Sequence, residues 1–199
     1  MLPPTCVTCR SPCRSSAWLC ADCVFELNDE TPVRGDAPPG VEAAVSGFRH
    51  EGTAGRLLAA FKFGPMPGLA PLLAGYMAEH VPVHAGPLTV VPVPAARIRK
   101  RLRGFDPAEL LAAGVSREAG LRTPDGDAIR RHGRGRQRGR GRQARLADPP
   151  QILPVRALTG PVLLVDDVIT TGATVSACAA ALRCCGAGPV TALSFTRRV

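Results

Sequence analysis

Two neighbouring carboxylates, Asp166 and Asp167, are followed after two residues by Thr170-Thr171-Gly172-Ala173-Thr174. Side-by-side carboxylates are suited to accept hydrogen bonds from the hydroxyls of a sugar. A glycine turn that opens a helix presents backbone N–H groups and the positive end of the helix dipole to an anion. Thr170, Thr171 and Thr174 would add hydroxyl donors, completing a pocket for one phosphate. Acids beside a phosphate pocket point to a ligand that carries both groups, with Mg²⁺ close by. A plain strand ending in Asp before a Thr-capped helix explains one acid and one threonine, not two and three together.

The elements that must position these residues are legible around them. Val162-Leu163-Leu164-Val165 is apolar without alternation, as suits a parallel strand buried on both faces. Ala173 to Cys185 reads as a helix, with Gly186 at the C′ position. The acids are therefore expected at the carboxyl end of a strand, where open α/β sheets bind ligands. Val41 to Phe48 and Leu88 to Val93 read as further strands, and Thr53 to Phe63 as a helix with apolar residues at 54, 57, 58 and 61. After Val91-Pro92-Val93-Pro94 come Arg97, Arg99, Lys100, Arg101 and Arg103, expected as a cationic loop. Asp106 at the N-cap, Pro107 at N1 and Glu109 at N3 predict a capping box that starts the next helix. Lys62, in Phe-Lys-Phe-Gly, is the only lysine besides Lys100 and could serve as a point charge near a phosphate.

A second chemistry sits at the N-terminus. Cys6-x-x-Cys9, ten residues, then Cys20-x-x-Cys23 is a spacing that can present four thiolates tetrahedrally to Zn²⁺. No Glu or His lies among them to activate water, so a closed, structural site is expected, supplying folding energy to a segment too short for its own core. Cys13 can replace Cys9 in the set or be a spare thiol. Cys178, Cys184 and Cys185 stand among alanines of the C-terminal helix, as packing residues.

Of the net charge of +9, residues 130 to 145 carry eight arginines and no acid, so the rest of the chain is close to neutral. That Gly- and Arg-rich stretch has nothing apolar to bury. It can be a solvated loop, an arm that binds nucleic-acid phosphates, or a hood over a pyrophosphate. Its place in the chain favours the hood, and the lack of interleaved aromatic residues weakens base stacking. No run of about 18 apolar residues is present, and the N-terminus lacks a basic region followed by an apolar stretch. A protein without membrane spans, in the cytoplasm, is expected. Residues 1–27 form the expected knuckle, 28–41 a linker and 42–199 the α/β domain.

Val162 to Thr174 closely resembles the phosphoribosyl-pyrophosphate motif of type I phosphoribosyltransferases, without gaps. The resemblance implies that Asp166 and Asp167 hold ribose hydroxyls and that Thr170 to Thr174 hold the 5′-phosphate. The implied binding stretch is Val165, Asp166, Asp167, Thr170, Thr171, Gly172, Ala173 and Thr174. Over nearly the whole chain the order of parts is similar to the ComF family. Those parts are the four-cysteine knuckle, Lys-Phe-x-Gly, Val-Pro-Val-Pro, Arg-Gly-Phe-Asp before Ala-Glu-Leu-Leu, an Arg-rich segment and the pyrophosphate motif. Members are phosphoribosyltransferase-like proteins, some linked to DNA uptake in natural competence. Pro107 and Asp148 depart from the Gln and Asn usual there, and 130–145 matches loosely; these departures fall on the acceptor side.

The resemblance implies a type I phosphoribosyltransferase-like parallel sheet carrying a zinc knuckle. It implies displacement of pyrophosphate from 5-phosphoribosyl 1-pyrophosphate by a nitrogen nucleophile, with Mg²⁺. Arg101, Arg103 or Lys62, with an Arg of the hood, would neutralise the pyrophosphate. The acceptor is not readable from these residues. The rival class is a non-enzymatic competence factor that binds single-stranded DNA or DNA-uptake proteins and keeps the pocket as sensor or relic.

Overall fold

A computed structural model describes residues 4–14, 17–64, 66–84, 86–132 and 150–198. The Arg-rich stretch from 134 to 145, on which the hood and arm readings fall, and Asp148 lie outside these residues; Arg130 and Arg131 lie within them.

The chain folds as α/β around a five-stranded sheet in the order β1-β2-β7-β6-β3. Its strands are β1 (Val33–Arg34), β2 (Ala43–Arg49), β3 (Thr89–Pro92), β6 (Val162–Ile169) and β7 (Val190–Arg197). β2, β7, β6 and β3 run parallel, and β1 adds antiparallel at the β2 edge. The sheet is therefore mixed rather than wholly parallel. β1 comes from within residues 28–41, the stretch read as linker. That stretch is tied down further by Arg197 Nη2, which donates to the Asp36 carbonyl at 2.7 Å. A separate antiparallel pair, β4 (Ile129–Arg131) and β5 (Ile152–Pro154), brackets the residues that are not described.

Strand alternation sorts the core into two. Phe48, Leu163, Val165, Leu193 and Phe195 point to one face, covered by α2 (Gly52–Phe63), α3 (Ala70–Ala78) and α5 (Pro107–Ala119). Ala44, Val91, Val162, Leu164 and Ala192 point to the other, covered by α6 (Ala173–Cys184) and the β4–β5 pair. This is the layering expected when an apolar sheet must bury both faces. α3 and α5 cross closely because Gly114 has no side chain; a Cβ there would collide with the Ala74 Cβ. α1 (Ala21–Asp29) packs on α2, and its Leu27 joins the first core together with Leu19.

Two local expectations are corrected. The basic run 97–103 is a helix, α4 (Arg97–Arg103), not a loop; Gly104 ends it at φ 82°. The capping box is half made. Asp106 caps α5 by accepting the Ala108 N–H at 3.1 Å, but Glu109 turns instead to Lys100 Nζ at 2.6 Å. An ammonium within reach is a stronger partner for a carboxylate than a backbone amide.

Candidate functional site

The acids lie on β6 as its fifth and sixth residues, and the strand continues to Ile169. It runs past them because Val168 and Ile169 still pair with Thr196 and Arg197 of β7. The turn 170–172 then opens α6. Gly172 takes φ 74°, and an added Cβ would stand 2.7 Å from Pro38 Cγ. Only glycine allows both the left-handed conformation and that close approach. Thr171 Oγ1 accepts the Ala173 N–H at 3.4 Å. Thr170 and Thr174 make no side-chain hydrogen bond among the described residues, and both are partly exposed, so their hydroxyls are available to a ligand. Val165 is fully buried with its side chain in the core, so it belongs to the site only through its backbone.

The two acids differ in environment. Asp166 accepts the Asp167 N–H at 2.8 Å through Oδ1. Burial first, and the Asp167 charge second, push its carboxyl up to about 7. Asp167 instead receives Lys62 Nζ at 2.8 Å, an ion pair largely withdrawn from water. Lys62 reaches it from the last turn of α2. Of the three cations expected to neutralise a pyrophosphate, Lys62 alone is paired with one of the acids. Arg103 sits over the Phe63 ring at 5.6 Å from its centroid, next to Lys62 in sequence. Arg101 is exposed on α4, with no ion pair among the described residues.

Sequence reasoning missed His50 and Arg131. His50 follows β2, and its Nδ1 lies 2.9 Å from Thr196 Oγ1. Burial, then the charges of Arg198 and Lys62, push its pKa down and favour the neutral ring, while Asp167 opposes them. The available signal was its position directly after a strand and before a helix. Arg131, on β4, is partly buried; burial and then the charge of Arg99 push its pKa down. Its signal was swamped by the seven arginines that share its segment.

The four cysteines expected to hold metal do come together. Ligand atoms of Cys6, Cys9, Cys20 and Cys23 all lie within 4.8 Å of one another. Tetrahedral Zn–S bonds of about 2.3 Å need sulfur–sulfur edges of about 3.8 Å, so this set fits the ion. Cys9 Sγ and Cys20 Sγ are 3.5 Å apart, and Thr8 Oγ1 is 3.0 Å from both Cys6 Sγ and Cys23 Sγ. Cys20 is the N-cap of α1 and Cys23 lies in its first turn, where the dipole favours thiolates. Arg10, at φ 68°, closes the first knuckle turn. Burial raises Cys6, but hydrogen bonds from Thr8 and from the Cys9 and Cys20 amides outweigh it and bring the thiol down to about 5. Burial drives Cys23 up to about 12. A bound cation would remove that split by ionising all four. Cys13 is outside the set; its Sγ donates to the Ala17 carbonyl at 3.3 Å.

Neither a protein-family model nor a curated protein matches this chain. Among the described residues, no helix is long and apolar enough to cross a membrane.

Proposed function

We propose that this chain is a ComF-like phosphoribosyltransferase of the type I kind, binding 5-phosphoribosyl 1-pyrophosphate and passing the phosphoribosyl group to a nitrogen acceptor. The observation that carries the reading is the run from Asp166 and Asp167 on β6 into the Gly172 turn at the N-terminus of α6. A sugar phosphate bridges such a strand end and helix start naturally, with hydroxyls on the carboxylates and phosphate on the amides. Lys62 would exchange part of its contact with Asp167 for the pyrophosphate. Mg²⁺, if held between pyrophosphate and the acids, would supply charge neutralisation of the leaving group. Arg103, held over the Phe63 ring next to Lys62 in sequence, would add positive charge from α4. The remaining work is positioning and electrostatic stabilisation. Zinc at the four cysteines is structural in this reading, and the cytoplasm is the compartment where such thiolates persist.

Calorimetry with ribose 5-phosphate and Mg²⁺ tests it. The double variant Asp166→Asn with Asp167→Asn should bind more weakly, by about 1.5–3 kcal/mol for each charged hydrogen bond lost. Equal affinity in both proteins would rule the reading out.

One observation favours the rival, a single-stranded DNA-binding competence factor. α4 carries five cations in seven residues, buries none of them, and lies beside the exposed Phe63 ring. A ring flanked by cations can stack a base. A steep fall of single-stranded DNA affinity with salt, about 0.7 log units per phosphate contact, would support it.

A further inference from the structure

A cavity of about 510 Å³ opens along the outer edge of β3, between α4, α5 and the segment 123–131. Its origin is in the backbone. Val90 donates its N–H outward to the Arg122 carbonyl, and the next outward-facing residue, Pro92, has no N–H to offer. The pairing stops there, and the chain swings away toward β4 and leaves the gap. Val91, Pro92, Ala112 and Ile129 supply the apolar part of the walls, and charged side chains supply the rest. The volume falls within the roughly 300–1,000 Å³ of small-molecule sites.

The charges around this cavity are not balanced. Lys100 is paired with Glu109 at 2.6 Å, and Arg130 with Asp127 at 3.3 Å. Asp106 is buried and already accepts the Ala95 and Ala108 N–H groups. That leaves the cations Arg97 and Arg131 with no carboxylate partner among the described residues. Arg97 is exposed to water, whereas Arg131 is partly withdrawn from it. Burial and the neighbouring Arg99 both disfavour its charged form. A guanidinium in that position costs free energy until an anion reaches it. Pro92, which lines the cavity, is paired with Val165, the residue before Asp166, so this end of the cavity lies toward the acid pair.

We infer that this cavity is the acceptor subsite, and that the acceptor is a partly apolar molecule whose carboxylate meets Arg131 and whose nitrogen faces the ribose. The inference rests on the phosphoribosyl-transfer reading. In the step, the nitrogen lone pair forms the bond to C1 of the ribose. The C1–O bond breaks with its electrons onto pyrophosphate, and the nitrogen's proton passes to water.

The experiment is calorimetric titration of the full chain with three carboxylates and their uncharged counterparts: nicotinate against nicotinamide, orotate against uracil, anthranilate against aniline. Each is run with and without ribose 5-phosphate and Mg²⁺. At least one carboxylate should bind ten times more tightly than its counterpart. Arg131→Gln should remove that preference. Ala113→Trp, placed at an exposed position on the α5 wall, should fill the cavity and abolish carboxylate binding, while ribose 5-phosphate affinity stays within twofold. No preference in any pair, or a preference that survives both substitutions, overturns the assignment and leaves the ribose-phosphate site standing. Carboxylate binding in a protein that does not bind ribose 5-phosphate overturns the transfer reading, and the acceptor role with it.

Discussion

Replacing Asp166 by Asn should stabilise the ligand-free protein most in neutral and alkaline solution, and progressively less as the pH falls toward about 4. In the folded chain its carboxyl is held up to about 7, against 3.8 for an ordinary Asp. Below about pH 4 both folded and unfolded chains carry it protonated, so the acid costs nothing. Between about pH 4 and 7 the unfolded chain ionises while the folded one stays protonated. Fewer protons are then bound by the unfolded state, so stability falls as pH rises, by at most about 1.4 kcal/mol per pH unit. Above 7 both are ionised and the whole penalty is expressed. Three pKa units give a ceiling of about 4 kcal/mol, and partial solvent contact at Asp166 brings the expected value nearer 2 kcal/mol. Asn keeps the acceptor for the Asp167 N–H, so little else is lost. Urea denaturation of both proteins from pH 5 to 8.5 measures the difference. Acid effects on the cysteine cluster are common to the two and cancel. The gap should widen up to pH 7 and then stay level, while ribose 5-phosphate affinity drops in the variant. A gap that does not change with pH would refute the burial argument for Asp166. A protein more stable without its ligand-binding acid would be an instance of function maintained against stability.

Lys62→Met leaves the Asp167 carboxylate unpaired and largely out of water, and should cost about 2–4 kcal/mol in urea midpoint measurements; adding Asp167→Asn should recover most of it, as a double-mutant cycle will show. Gly172→Ala meets both a left-handed φ of 74° and Pro38, so it should lower stability by about 1–3 kcal/mol; Pro38→Gly in the same chain should relieve the collision but not the backbone strain. Elemental analysis should find one zinc per chain in wild type and in Cys13→Ser, and a clear loss in Cys9→Ser or Cys20→Ser. Chelation should raise hydrogen exchange first in residues 4–29 and then in α2, because Leu19 and Leu27 share the core with Leu57 and Leu58.

Local chemistry was enough to announce β6, its acid pair, the glycine turn and the helix after it, because each depends on neighbours in sequence. An apolar run must be buried, a left-handed turn needs glycine, and a helix start needs a cap. The double Cys-x-x-Cys spacing likewise announced four thiols close enough to share an ion. Sequence could not choose between Cys9 and Cys13, since both stand at plausible distances along the chain; the fold chose by turning Cys13 toward Ala17. Nor could it extend β6 past the acids, because Val168 and Ile169 are strand only through pairing with β7, more than twenty residues away. In the basic run 97–103 only Ile98 and Leu102 offer the i, i+4 apolar spacing of a helix, one pair among five cations, and α4 buries neither of them. Above all, the electrostatics of the site are tertiary. Lys62 meets Asp167 across a hundred residues of chain, Pro38 presses on Gly172, and a separate two-stranded pair brings Arg131 to the cavity beside β3. Residue types are local and can be read one after another, but a charge's energy depends on its distance to other charges and to water, and only the folded chain sets those distances.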